Sequence, residues 1–79
     1  MLSDEQIMLA VIKAATGDSC NKVFKYEKQP DGWQLLLCDD TKNMYRLNES
    51  LTPEVLERRG GQYGELMTWH FINGKWELQ

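Results

Sequence analysis

The chain has 79 residues, 42% of them hydrophobic and 27% charged, enough for one small core and too little for two. Nine Lys and Arg stand against twelve Asp and Glu, a net charge of −3 that works against a domain built to grip phosphates. No run of about 18 apolar residues is present, and Asp4 and Glu5 stand where a signal peptide would carry positive charge.

Residues 3–16 predict a helix. Ser3 and Gln6 have the spacing of a capping box, Asp4 and Glu5 complement the positive end of the helix dipole, and Gly17 supplies the stop. Ile7, Met8, Ala10, Val11, Ile12, Ala14 and Ala15 share a broad apolar arc for a sheet to cover. Leu9 falls among Glu5, Lys13 and Thr16 on the opposite arc. Bordered by Ile12 and Ala10, and close to Met1 and Leu2, it makes Leu9, Lys13 and Ile12 the candidate partner-binding strip, apolar with a charged rim.

Val23–Lys28 and Trp33–Cys38 predict strands joined through Pro30-Asp31-Gly32, a turn signal in which Pro presets φ and Gly accepts the left-handed conformation. A two-residue loop at Asp31-Gly32 places Tyr26 opposite Leu37 and Lys25 opposite Cys38. A type I turn with a glycine bulge shifts the pairing by one residue; the first register is preferred because it separates apolar from polar better. A third strand, 44–48, follows a turn at 40–43 and sets Leu37 opposite Leu47 and Cys38 opposite Arg46. Trp33, Leu35, Leu37, Tyr45 and Leu47 then share the core face, and Cys38 lies outside between Lys25 and Arg46. That trio is the candidate reactive thiol or basic patch, since neighbouring cations favour a thiolate. Two cysteines with no CxxC are too few for a disulfide-rich secreted scaffold, which points to a reducing cytoplasm, and in this register Cys20 and Cys38 are too far apart to bridge.

Residues 53–59 predict a second helix, with Thr52 as N-cap, Pro53 at the first helical position, Leu51 and Leu56 at staple spacing, and Gly60 as stop. Asn73-Gly74 then demands a type I′ hairpin that pairs Ile72 with Lys75, Phe71 with Trp76, His70 with Glu77 and Trp69 with Leu78. The expected fold is α+β: an N-terminal helix on an antiparallel sheet, order α-β-β-β-α-β-β, about five strands, one domain over 1–79. The double-stranded-RNA-binding domain begins with the same element order. This chain lacks its Lys-rich second-helix start, so no function is carried across.

The sequence calls for no cofactor: two Cys and one His are too few for a usual metal set, and Arg-Arg-Gly-Gly at 58–61 lacks the spacing of a phosphate loop. His70 facing Glu77 has the form of a dyad; Thr68 and Cys38 are the candidate nucleophiles, and no Gly-rich elbow or helix N-terminus builds an oxyanion site beside them. The leading expectation is a non-enzymatic protein-binding module. Running from Met1 to a final strand, it reads as a stand-alone accessory or inhibitor protein of phage or mobile-element type, with another protein or a second copy as partner. Nucleic-acid binding around Lys25 and Arg46 is the alternative, and a small Cys- or His-dependent enzyme the third class.

Overall fold

The computed structural model describes residues 1–39, 42–60 and 64–79. Helix α1 (Asp4–Thr16) is followed by strands β1 (Val23–Lys28), β2 (Trp33–Cys38), β3 (Asn43–Asn48), β4 (Val55–Arg59), β5 (Leu66–Ile72) and β6 (Lys75–Leu78). The strands form one antiparallel sheet in chain order, each paired with its sequence neighbours. Helix α1 covers one face. The α+β class and the N-terminal helix are as expected, and the sheet has six strands instead of about five.

Local signals fix both ends of α1. Ser3 Oγ accepts from the Gln6 backbone N–H, Gln6 Oε1 accepts from the Ser3 N–H, and Gly17 at φ 79° ends the helix with its N–H on the Lys13 carbonyl. The buried arc is centred on Met8 and Ile12, with Ile7, Leu9, Val11 and Ala15 packed beside them. Ala10 and Ala14 are exposed. The expected arc was thus rotated too far toward the alanines, because large side chains gain most from burial and pull the helix onto Met8, Ile12 and Leu9.

The first hairpin takes the register with the bulge. Gly32, at φ 88°, donates to the Gln29 carbonyl, and Gln29 N–H donates to Trp33 O. Tyr26 therefore faces Leu36, and Lys25 faces Leu37 where Cys38 was expected. A second irregularity at Phe24 sets Val23 opposite Cys38 and leaves Phe24 43% exposed under the Lys22 ammonium. Between β2 and β3, Cys38 pairs with Asn43, Leu37 with Met44 and Leu35 with Arg46, three residues off the expected register. Part of the expected 40–43 turn, Asp40 and Thr41, lies outside the described residues, as does Gly61 of the Arg-Arg-Gly-Gly run. The outcome for β2 is an inversion: Gln34, Leu36 and Cys38 point to the helix, while Trp33, Leu35 and Leu37 lie on the outer face. Both faces of this strand are apolar, so alternation could not choose between them. Tyr45 and Leu47 are core, as expected.

Residues 53–59 are not a helix. Val55–Arg59 pairs with β3 on one side and β5 on the other, and Phe71 N–H donates to Glu54 O just before the strand. Seven residues make a marginal helix, whereas the slot between β3 and β5 offers a ladder of hydrogen bonds on each side. The Thr52 "cap" instead serves the turn, where Asn48 Oδ1 accepts from its N–H and hydroxyl and Asn48 Nδ2 donates to its carbonyl. With this strand in place the element-order likeness to the double-stranded-RNA-binding domain disappears.

The last hairpin has the expected register at all four pairs. Asn73 and Gly74, at φ 52° and 79°, form its left-handed turn, and Phe71 packs on Trp76 with ring centroids 5.2 Å apart. A methyl group on Gly74 would meet no atom within 4 Å, so Gly74→Ala should lose stability only through backbone strain. We expect about 1 kcal/mol, read as a lower urea midpoint at unchanged slope. A larger loss would mean that the turn packs against something.

Candidate functional site

The connection between α1 and β1 crosses the end of the sheet and is tied down three times. Cys20 and Cys38 form a disulfide with Cα atoms 5.7 Å apart. Asp39 Oδ1 accepts the Asn21 and Lys22 N–H groups. Asp18 Oδ2 accepts from the Tyr45 hydroxyl at 3.0 Å and from Arg58 Nη1, and the Arg58 guanidinium lies 5.2 Å from the Trp69 ring centre. Burial, then the Asp18 charge, push the Tyr45 hydroxyl above its ordinary pKa, so it stays a donor. With its carboxylate neutralised by Arg58, this cluster is a satisfied lock between loop and sheet and offers no free acid or base.

These contacts revise the expected sites. Cys38 is neither free nor beside Lys25 and Arg46: it is 1% exposed, on the helix side, and bonded to Cys20. The distance that had excluded the bridge assumed that the chain runs straight from Cys20 into β1; the bulge and the folded-back loop shorten it. The cysteine-based argument for a reducing compartment falls with it. Ile12 is fully buried and Leu9 is packed against the core, so they form no exposed strip with Lys13, whose Nζ donates to Ser19 Oγ at 2.8 Å. His70 does face Glu77 and shares the outer face with Thr68, but Cys38, the other candidate nucleophile, is oxidised and on the opposite face.

Lys25 and Arg46 do share the outer face, and so does a constellation that the sequence reading missed. The registers align Lys25, Leu37, Met44, Arg59 and Leu66 in one row across the sheet, and Glu27, Leu35, Arg46, Glu57 and Thr68 in the next. Between them lies a depression of about 70 Å³ lined by Leu35, Met44, Arg46, Glu57, Arg59 and Leu66. Leu66 stands at its edge, 52% exposed. Arg46 stacks on Trp33, with its guanidinium carbon 5.1 Å from the ring centre, and pairs with Asp31; Lys25 pairs with Glu27 at 3.1 Å. No family model matches this chain, and no curated protein or solved structure matches it.

The signal that could have found this face is β2 itself. A strand buried on one side alternates, and Trp33, Leu35, Leu36, Leu37 and Cys38 do not. Among the described residues, no three His, Cys, Asp or Glu side chains are grouped to hold a metal ion, and no helix is long and apolar enough to cross a membrane.

Proposed function

We propose that the chain is a non-enzymatic protein-binding module, of accessory or inhibitor type, that docks through the outer face of its sheet. One observation carries the reading: Leu35, Met44 and Leu66 surround a shallow depression rimmed by Arg46, Glu57 and Arg59, on a face that no helix or strand among the described residues covers. Apolar groups inside a polar rim have the anatomy of an interface core. At about 70 Å³ the depression suits a protruding side chain, not a substrate needing the ~300 Å³ or more of a usual ligand pocket.

Protein is favoured over nucleic acid because the two cations named for a basic patch are already compensated, Lys25 by Glu27 and Arg46 by Asp31. Phosphate contacts require uncompensated positive charge.

Leu66→Glu tests the reading. Leu66 lies opposite Arg59, so the new carboxylate has a cation beside it and the fold should persist, as an unchanged melting curve would show. With wild type as bait in an extract of the source cell, a protein should be captured at stoichiometric level and lost with the variant. Equal capture by both forms would move the docking surface elsewhere. Tight oligonucleotide binding that falls steeply with salt would replace the protein reading by the nucleic-acid one.

A further inference from the structure

Resting on the reading of the outer face as an interface, we propose that its partner is a second copy of this chain, stacked face to face about a two-fold axis. The order of residues across the sheet fits such a pairing. One row reads Leu37, Met44, Arg59, Leu66 and the next Leu35, Arg46, Glu57, Thr68, in both cases from β2 to β5. An axis parallel to the strands and midway between β3 and β4 exchanges β3 with β4 and β2 with β5. It sets Arg46 over Glu57 of the partner subunit and Leu37 over the partner's Leu66. It also sets Met44 over the aliphatic stem of the partner's Arg59. Each contact occurs twice, as an isologous interface requires. An axis along β3 itself would instead set Arg46 against its own copy, so of these two strand-parallel axes the charges select the first.

Net charge supports the same face. The chain carries nine basic and twelve acidic residues, so two copies repel over most of their surfaces. The outer face holds Lys25, Arg46, Arg59 and Lys75 against Glu27, Asp31, Glu57 and Glu77, which balance. Repulsion is weakest there, and opposite charges meet. Aligned stacking of two sheets about 10 Å apart is a standard solution for covering an apolar sheet face. Five strand spacings of about 4.8 Å by strands of about 20 Å give a footprint of roughly 500 Å² per copy, at the low end for a specific dimer. The dimer should therefore form and dissociate with concentration.

Sedimentation equilibrium of the full chain between about 1 µM and 1 mM provides the test. Wild type should move from the 9.2 kDa monomer to twice that mass. Arg46→Glu puts one carboxylate over another across the axis, and Glu57→Arg puts one guanidinium over another, so each variant alone should associate at least tenfold more weakly. Arg46 and Glu57 are also neighbours within one sheet, so each single change disturbs its own monomer as well. Mixing separates the two effects. In a mixed pair one copy presents carboxylates at both positions and the other presents guanidinium groups at both. Opposite charges then meet twice, and the two weakly associating variants should form a heterodimer. A wild type monomeric at every concentration, or a mixture that stays monomeric, overturns the proposal. Protein capture lost with Leu66→Glu would still stand in that case, so failure of the dimer and failure of the docking reading are told apart.

Discussion

Trp69→Ala should leave the protein largely unfolded at 25 °C. Trp69 is 7% exposed, lies between Leu56 on β4 and Leu78 on β6, and carries the Arg58 guanidinium on its ring. Removing a buried indole costs about 3–5 kcal/mol in transfer and cavity terms. A domain this small holds only about 5 kcal/mol in total. The loss is compounded because Arg58, which also holds Asp18, then has no aromatic face to lie on. Urea denaturation and near-ultraviolet circular dichroism would read the result. A midpoint near that of wild type would mean that β4 and β5 do not enclose this ring. Trp76→Ala should cost less, since Trp76 is only partly buried and its partner Phe71 faces solvent.

That contrast shows what the sequence could convey. The C-terminal hairpin was legible because Asn-Gly fixes the turn, and the turn fixes every pair that follows. Helix α1 was legible because its cap, capping box and stop lie within one or two turns of its ends. What failed depended on distant partners. Pro30-Asp31-Gly32 is compatible with two registers one residue apart, and on a strand with apolar residues on both faces the better separation of apolar from polar favoured the wrong one. The 53–59 segment has a capped-helix pattern, but the decisive fact is the gap between β3 and β5, which no local window contains. Wrong register and missing strand together hid the candidate site. Leu35, Met44, Glu57, Arg59 and Leu66 are assembled from four strands, and only the full sheet order makes them neighbours.

The disulfide was hidden for the same reason, and its removal is the second large effect expected. Cys20 and Cys38 are 18 positions apart, and a cross-link closing a loop of that size restricts the unfolded chain by about 3 kcal/mol. The folded loop has other attachments, through Asp18 to Arg58 and Tyr45 and through Asp39 to the backbone at 21–22. Reduction should thus leave the far-ultraviolet spectrum of the folded chain unchanged while lowering Tm by roughly 10–20 °C. Cys20→Ser should melt where the reduced wild type does and show no further response to reductant. Serine is safer at position 20 than at 38, because Cys38 is sealed in the core and a hydroxyl there would lose its hydrogen bonds to water. Equal melting of oxidised and reduced wild type would show that the bridge adds nothing to stability. With the expected shift, stability depends on where the chain resides: an oxidising compartment retains the cross-link, and a thiol-rich one removes about half of what holds so small a domain together.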